Sequence, residues 1–235
     1  MQPDTAILCG GEGTRLRGTL GGLPKPMVEL GGRPLLEHLV RWALRGGSER
    51  VILCVGHGAG AIREHFATPV WQGKVLLSEE AAPLGTGGAL RLALPLIQTP
   101  ALAVLNGDSF LLGLDLAALT AFHRQKGGQG ALALVSPDER TDAGSVVLDD
   151  TGRVQAFAEK QALGGRHFIN AGVYVFEAGL IAAVPSGRAL SLERDLLPAW
   201  VEQGLYGSVQ AGELVDIGTP GRLRAAQARF VGDFL

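Results

Sequence analysis

The sequence predicts an α/β protein with a Rossmann-like, mixed but mostly parallel sheet that is flanked by helices. Short apolar runs bounded by glycines alternate with segments of helical periodicity up to about residue 130. Such alternation is typical of right-handed βαβ units. Beyond that point strand-like segments follow one another, so we predict a second half that is richer in strands. Glycine supplies 35 of the 235 residues, about twice its usual share of ~7%, and this excess needs a structural reason.

Hydrophobic spacing places the elements of the first half. Runs rich in β-branched and apolar residues, ended by polar or glycine residues, indicate buried parallel strands. These strands are predicted at Thr5–Cys9, Val51–Val55, Val75–Leu77 and Leu102–Leu105. Apolar residues at helical spacing predict helices that start after Pro34, at Ala59–Phe66, near Gly87 and at Leu116–His123.

In the second half, strands are predicted at Ala131–Val135, Ser145–Leu148, Val154–Phe157 and Ile169–Phe176. Asp149-Asp150-Thr151-Gly152 is typical of a hairpin turn. Helical patterns return at Leu192–Val201 and after Thr219-Pro220, where Thr suits the N-cap and Pro the first helical residue. We therefore expect one continuous α/β domain over residues 1–235, with no appended β-helix domain.

Charge and composition exclude several classes of protein. The chain carries 21 basic and 23 acidic residues and no Lys/Arg run, so a nucleic-acid partner is not expected. No apolar run approaches the roughly 20 residues that cross a bilayer, and we expect a soluble, cytoplasmic protein without a membrane partner. Cys9 and Cys54 lie in apolar runs without metal spacing, which predicts buried thiols. The histidines lack metal-ligand spacing too, and His38, His65 and His123 are expected on helix surfaces.

A glycine-rich loop follows the first predicted strand. In Gly10-Gly11-Glu12-Gly13-Thr14-Arg15, three glycines let the backbone approach a phosphate and Arg15 offers several donors. The loop lacks the third glycine of a dinucleotide fingerprint, and Gly18 is followed by Thr19 where a P-loop has Lys. Taken alone, this loop fits a polyphosphate site and a turn without a ligand equally well.

Lys25 lies between Pro24 and Pro26, which fix the local backbone and hold one cation at low entropic cost. Gly11-x-Gly13-Thr14-Arg15-Leu16 together with Pro24-Lys25-Pro26-Met27 resembles the signature of the sugar-1-phosphate nucleotidyltransferases. The resemblance implies the fold of that family, a nucleotide-diphospho-sugar transferase fold similar to GT-A. It also implies a nucleotide-binding half over about residues 1–130 and a sugar-phosphate-binding half over about residues 131–235.

Further segments resemble the family in the same order along the chain. They are Leu84-Gly85-Thr86-Gly87-Gly88-Ala89, Leu105-Asn106-Gly107-Asp108, Phe157-x-Glu159-Lys160, Ile169-Asn170-Ala171-Gly172-Val173-Tyr174 and Val215-Asp216-Ile217-Gly218-Thr219-Pro220. Within the family, Ser191-Leu192-Glu193-Arg194-Asp195 and the Asp-Ile-Gly segment are most similar to D-glycero-D-manno-heptose 1-phosphate guanylyltransferases. Mannose-1-phosphate guanylyltransferases are almost as similar.

The resemblance implies roles for individual residues. Arg15 and Lys25 would hold the triphosphate and stabilise the leaving pyrophosphate, and Asp108 would complete the catalytic set. The nucleotide would be bound by Leu8, Gly10, Gly11, Gly13, Thr14, Glu80, Gly85, Thr86 and Gly107. The sugar phosphate would be bound by Glu159, Lys160, Asn170 and Gly144, although the segment around Gly144 lacks the aromatic residue often found before that glycine. Glu159-Lys160 is also compatible with a solvated pair at a strand end.

Magnesium is the cofactor that the resemblance implies, with Asp108 and Asp216 as its ligands. Carboxylate oxygens suit Mg²⁺, which commonly binds one or two of them together with substrate phosphates. Either Asp alone also fits a turn residue or a helix cap. The reaction would join a nucleoside triphosphate to a sugar 1-phosphate, and it would depend on positioning and electrostatics. No general base is needed because the attacking phosphate, with a second pKa of about 6, is already largely dianionic.

Glu80 precedes the segment that reads the base, and a carboxylate can accept from both N1–H and the 2-amino group of guanine. We therefore expect GTP as the nucleotide. The alternative is that Glu79 and Glu80 are simply two adjacent exposed glutamates, which would not select a base. The alternatives are mannose 1-phosphate as the sugar, a UTP- or dTTP-dependent enzyme, and a regulatory subunit that senses nucleotide sugars without catalysis. The sequence leaves the oligomeric state open, a homodimer included.

Overall fold

The computed structural model describes residues 2–11, 20, 22–137, 143–161 and 167–231. Its strands are β1 Asp4–Leu8, β2 Glu29–Leu30, β3 Arg33–Pro34, β4 Val51–Val55, β5 Val75–Glu79, β6 Ala101–Asn106, β7 Ser109–Leu111, β8 Gly130–Val135, β9 Ser145–Leu148, β10 Val154–Ala158, β11 Phe168–Glu177, β12 Leu205–Gln210 and β13 Leu214–Asp216. Its α-helices are α1 Leu35–Arg45, α2 Ala59–Phe66, α3 Gly85–Ala93, α4 Leu116–Lys126, α5 Ala178–Ala182, α6 Leu197–Trp200 and α7 Pro220–Arg229.

A mixed sheet organises the described chain. Its main path runs β10-β9-β11-β6-β1-β4-β5, and β8 joins β11 to β12. Strands β6, β1, β4 and β5 are parallel, as predicted, whereas β11 runs antiparallel to β6, β8 and β9. The predicted α/β fold with a mostly parallel first half and a more β-rich second half is therefore confirmed.

Helices cover both faces of this sheet, and two apolar clusters fill the space beneath them. Along β4 the side chains alternate between the clusters: Val51, Leu53 and Val55 face one, and Ile52 and Cys54 face the other. Burial on both faces explains why the strand is an uninterrupted apolar run. Cys9 and Cys54 are free and buried, as predicted. Burial raises the pKa of the Cys54 thiol to about 12.

Helix ends follow their capping residues. Asp115 caps α4 by accepting hydrogen bonds from Ala117 N at 2.8 Å and Ala118 N at 3.3 Å. Thr219 caps α7 through Arg222 N, and Pro220 is the first helical residue, as predicted. The helix predicted over Leu192–Val201 is divided into a π-helical turn over Leu192–Leu196, the short α6 and a 3₁₀ turn.

The prediction that the histidines lie on helix surfaces was wrong for two of them. His38 and His123 are buried, and each ring has a polar partner: Leu30 O at 2.8 Å from His38 Nε2, and Glu177 Oε1 at 2.7 Å from His123 Nε2. A buried imidazole is tolerated when such a partner replaces water. Among the described residues, no helix is long and apolar enough to span a membrane.

The junction of β11 with its neighbours creates the setting for the site. One edge of β11 pairs with β8, and its other edge pairs first with β9 at Phe168–Ile169 and then with β6 from Val173 onward. The β8 register shifts between Asn170 and Tyr174, which marks an irregularity in the strand. Such irregularities often re-aim side chains beside binding sites, and here the strand changes partner next to the end of β6.

Candidate active site

A cleft of about 920 Å³ opens at the carboxyl ends of the parallel strands β1, β4 and β6. Ligands of open α/β sheets are usually bound at this edge. Most of the predicted site residues that the structure describes line it: Leu8, Gly10, Gly11, Lys25, Glu80, Gly85, Thr86, Gly107, Asp108, Glu159 and Lys160. The structure therefore brings together segments that lie up to about 150 residues apart in the chain.

The remaining predicted residues lie behind this lining or outside the described chain. Gly144 adjoins both Glu159 and Asn170, and Asp216 lies two residues before Gly218, which is part of the lining. Gly13, Thr14 and Arg15 lie outside the described residues, and their roles stay predictions.

Lys25 forms an ion pair with Asp108 on the floor of the cleft. Its Nζ donates to Asp108 Oδ2 at 2.5 Å, and the lysine side chain is only 13% exposed. A 3₁₀ turn over Lys25–Met27 carries the lysine, and Pro24 in front of it packs against Gly58. Gly58 has φ 74° and a Cβ there would lie 2.3 Å from Pro24 Cγ, so only glycine allows this contact.

Asp216 is held beside the same pair by backbone pairing. Strand β13 pairs with β7, and Ile217 N donates to Asp108 O at 3.0 Å. Asp216 Oδ1 accepts from Gly218 N at 2.9 Å and from Arg222 Nη1 at 3.2 Å. A Cβ at Gly218 would lie 2.9 Å from Asp216 Oδ1 and 3.9 Å from Lys25 Nζ. The two predicted metal ligands therefore meet at one loop junction next to Lys25.

Glu80 enters the cleft at the end of β5, whereas its neighbour Glu79 stays exposed and pairs with Arg63. Glu80 Oε2 accepts from Leu84 N at 3.0 Å, and its own N–H donates to Val55 O at 3.0 Å. A Cβ at Gly56 would lie 2.5 Å from Glu80 Oε1, so the absence of a side chain at residue 56 makes room for the carboxylate. Glu80 is thus fixed in position.

The sugar-phosphate residues of the prediction form a second group at the β9–β11 junction. Asn170 N donates to Gly144 O at 2.8 Å, and Asn170 Nδ2 donates to the buried hydroxyl of Tyr174 at 2.7 Å. A Cβ at Gly144 would lie 3.1 Å from Glu159 Oε2. Lys160 has φ 56°, which is an uncommon conformation for a residue with a side chain. A non-glycine residue in this region indicates strain that the surroundings maintain.

Glu193 was not among the site residues predicted from the sequence. Its segment resembles the family and was predicted to be helical. In the structure Glu193 lines the cleft on the π-helical turn Leu192–Leu196. It contacts Thr86 and Asn106, at the ends of two other segments. The signal available in the sequence was Pro198, which disfavours a regular α-helical turn before it. The turn there is π-helical, and such turns are frequent at functional sites.

Comparison with known proteins gives the class of the chain. Residues 5–231 match the model of the family described as nucleotidyl transferase. The chain therefore belongs to the nucleotidyl transferase family of enzymes.

In sequence, the chain is similar to mannose-1-phosphate guanylyltransferases. The chain is 38% identical over 223 residues to a mannose-1-phosphate guanylyltransferase of Mycobacterium tuberculosis (strain ATCC 25618 / H37Rv), covering 93% of this chain and 62% of that protein. The chain thus spans about three fifths of the length of the curated relatives it matches.

Solved structures agree over the whole chain. The crystal structure of HddC from Yersinia pseudotuberculosis is similar at a TM-score of 0.81 and 30% identity, covering 97% of this chain and 99% of that one. The same protein has been crystallised with GMP-PN. A putative glucose-1-phosphate thymidylyltransferase from Bacillus anthracis shares the fold at a TM-score of 0.83 and 19% identity, covering 96% of this chain and 94% of that one.

Proposed function

We propose that the chain transfers a nucleoside monophosphate from GTP to a sugar 1-phosphate, forming a GDP-sugar and pyrophosphate. The observation that carries this proposal is the Lys25–Asp108 pair, which lies in one cleft with both Gly85–Thr86 at the start of α3 and Glu159–Lys160. One cleft thus joins the segments expected to bind the nucleotide with those expected to bind the sugar phosphate. We propose a nucleotide-binding half over about residues 1–130 and a sugar-phosphate-binding half over about residues 131–235.

The residues fit a magnesium ion. Among the described residues that line the cleft, five carboxylates outnumber three lysine and arginine side chains: Glu80, Asp108, Glu159, Glu193 and Asp195 against Lys25, Lys160 and Arg194. Both proposed substrates are polyanions, so the cleft needs further positive charge. Asp108 and Asp216 supply hard oxygen donors from one loop junction. A bound Mg²⁺ would neutralise phosphate charge and orient the phosphates.

The protein's own groups align the reactants. Lys25 is anchored by Asp108, so its ammonium group would meet the phosphates from a fixed position. Lys160 would bind the phosphate of the sugar, and Glu159 and Asn170 would bind its hydroxyl groups. Because the sugar phosphate is its own nucleophile, catalysis would come from alignment and charge stabilisation.

Glu80 supports GTP as the nucleotide. Its carboxylate accepts from Leu84 N and lies at the Gly10 and Gly56 backbones, beside the start of α3, which is expected to contact the base. A carboxylate can accept from N1–H and the 2-amino group of guanine, whereas it repels the carbonyl oxygens that flank the ring N–H of uracil or thymine. The guanylyltransferase relatives and the neighbour crystallised with GMP-PN support the same choice.

For the sugar we propose D-glycero-D-manno-heptose 1-phosphate, which the sequence resemblance favours. Mannose 1-phosphate is the second candidate, because the 38% identical relative is named for that substrate. The two sugars share the manno configuration, so one arrangement of hydroxyl-binding groups suits both.

A pyrophosphate-release screen across four nucleoside triphosphates and a panel of sugar 1-phosphates tests the proposal. We expect release with GTP and a manno-configured sugar 1-phosphate, dependent on Mg²⁺. Equal use of UTP or dTTP would refute the guanine assignment. Tight binding of a GDP-sugar without any release of pyrophosphate would favour a sensing subunit instead.

A further inference from the structure

Glu193 is assigned no ligand in the function proposed above, although it lines the cleft. We propose that Glu193 forms a subsite that accepts hydrogen bonds from hydroxyl groups on a substrate ring. The inference rests on the proposed function, because it takes the ligands of the cleft to be a nucleotide and a sugar phosphate. The hydroxyls could belong to the sugar or to the ribose of the nucleotide.

Three side chains hold the Glu193 carboxylate in place. Thr86 Oγ1 donates to Oε2 at 3.0 Å, Ser191 Oγ donates to the same oxygen at 3.3 Å, and Asn106 Nδ2 donates to Oε1 at 3.3 Å. Thr86 lies in the first turn of α3, and Asn106 ends β6 two residues before Asp108. The carboxylate therefore stands between the segments expected to bind the two substrates.

The backbone around Glu193 is also hydrogen-bonded to the first turn of α3. Leu192 N donates to Thr86 Oγ1 at 2.7 Å, and Leu190 O accepts from Gly87 N at 2.8 Å. Ser191 caps the π-helical turn by accepting from Arg194 N at 3.2 Å. A side chain held in this way loses little conformational entropy on binding, which is the condition for a selective subsite.

The charge of the surroundings indicates which chemical group Glu193 would meet. The Tyr174 hydroxyl is buried beside Asn170, and burial raises its pKa, followed by the negative charge of Glu193 and, to a smaller extent, of Glu159 and Asp108. All three carboxylates therefore bring negative charge to the neighbourhood of this hydroxyl. Carboxylates repel phosphate oxygens but accept strongly from neutral hydroxyls, so this region suits the hydroxyl-bearing face of a sugar ring.

Asn106 should allow the substitution Glu193→Gln to be accommodated without disturbing the fold. Its Oδ1 is buried and has no hydrogen-bond partner among the described residues, whereas its Nδ2 points to Glu193. In Glu193→Gln, rotation of the Asn106 amide by a half turn would let Oδ1 accept from the new amide group. The variant should therefore fold normally while it lacks the charge of the carboxylate.

The experiment compares each complete substrate with its deoxy analogues in the wild type, Glu193→Gln and Glu193→Ala. One arm uses 2′-deoxy- and 3′-deoxy-GTP, and the other uses mannose 1-phosphates that lack single hydroxyls. The readouts are kcat/KM for pyrophosphate release and, independently of turnover, the Kd of each sugar phosphate and nucleotide by calorimetry. Asp195→Asn is the matched control, because Asp195 also holds this turn, through Ser191 N at 2.6 Å, but leaves the Glu193 carboxylate in place.

We expect the wild type to prefer the complete substrate over one particular deoxy analogue by about ten- to hundred-fold, the usual range for a hydrogen bond to a charged group. In both Glu193 variants this ratio should fall to near one, and Asp195→Asn should keep the wild-type ratio. Loss of the ratio in the sugar arm assigns the subsite to the sugar, and loss in the nucleotide arm assigns it to the ribose.

If the wild type is active and both Glu193 variants keep its ratios of complete substrate to deoxy analogue in both arms, the subsite is overturned and the proposed function stands. If the wild type releases no pyrophosphate from any pair, the proposed function fails, and the calorimetric ratios then decide on the subsite alone. Equal Kd values for complete and deoxy ligands in the wild type would overturn it there.

Discussion

Lys25 Nζ lies 2.5 Å from Asp108 Oδ2, and this pair joins a turn near the start of the chain to the end of strand β6. The lysine side chain is almost buried, while that of Asp108 is 44% exposed toward the cleft. The lysine is thus held in place by the carboxylate, and the carboxylate stays within reach of a ligand. The first two predictions test groups that this arrangement brings together.

Asp108→Asn and Asp216→Asn should each lower kcat by about 100- to 1,000-fold, which is typical for the loss of one preorganised electrostatic group. Both variants should fold, because an amide oxygen can still accept from Lys25 Nζ at residue 108 and from Gly218 N at residue 216. Pyrophosphate release and circular dichroism measure the two effects. Asp150→Asn, at an exposed hairpin residue, is the control and should retain full activity. A wild-type kcat in both cleft variants would contradict the assignment of these carboxylates.

Gly58→Ala should lower kcat through the position of Lys25. The new Cβ would lie 2.3 Å from Pro24 Cγ, so Pro24 and the turn that carries Lys25 must shift. Gly73→Ala is a matched control, because Gly73 has the same φ of 74° but open space around its Cβ position. Both substitutions strain the backbone and should lower the melting temperature, and Gly58→Ala should lower it further because of its contact with Pro24. Only Gly58→Ala should reduce kcat, and equal kinetics in the two variants would contradict this coupling.

Lys160 combines a strained backbone with an expected contact to the sugar phosphate. Lys160→Gly and Lys160→Ala both remove the ammonium group and should raise KM for the sugar 1-phosphate by at least about tenfold. Only glycine relieves the strain at φ 56°, so Lys160→Gly should be more stable than Lys160→Ala by about 1 kcal/mol. Urea unfolding and steady-state kinetics separate the two effects. An unchanged KM in both variants would remove Lys160 from the sugar-phosphate site.

Glu37 links stability to pH away from the cleft. Burial alone would raise the pKa of Glu37, but hydrogen bonds from Arg41 and His65 outweigh it and lower the pKa below the ordinary value of 4.5. The ionised form is therefore favoured in the folded state, and its contribution is present above pH 4.5 and lost as the pH falls through the lowered pKa.

Urea unfolding of the wild type and Glu37→Gln, from about pH 7 down to about pH 3, tests this linkage. The free energy of unfolding should be lower for Glu37→Gln at neutral pH, and the difference should shrink in acid. Glu64→Gln, an exposed substitution on α2, should show no such trend. A difference that stays constant with pH would show that ionisation of Glu37 does not contribute.

The sequence predicted strands best where burial on both faces of the sheet determines the residue pattern. The buried parallel strands β1, β4 and β6 were predicted within one residue at each end, because burial on both faces leaves an apolar run. β12, over Leu205–Gln210, was missed because it contains Gly207 and Ser208, and its structure depends on parallel pairing with β8. Distant pairing of this kind leaves little local signal.

In the candidate site too, local motifs could be predicted from the sequence and contacts between distant residues could not. Motifs indicated Lys25, Asp108 and Glu80, but the contact between Lys25 and Asp108 joins residues 83 apart in the chain. Glu193 was missed because its turn was predicted as regular helix. Pro198 lacks an N–H and its ring conflicts with the carbonyl four residues earlier, and the preceding turn is widened, with Leu197 N bonded to Leu192 O.

The most direct test of the central claim is a single-turnover experiment with enzyme in excess over GTP, a manno-configured sugar 1-phosphate and Mg²⁺. Quenched samples are analysed by mass spectrometry for the GDP-sugar and for pyrophosphate, with Asp108→Asn in parallel. We predict that both products form together in a one-to-one ratio in the wild type and are lost in Asp108→Asn. Binding of GTP and the sugar phosphate without any GDP-sugar in the wild type would contradict the account.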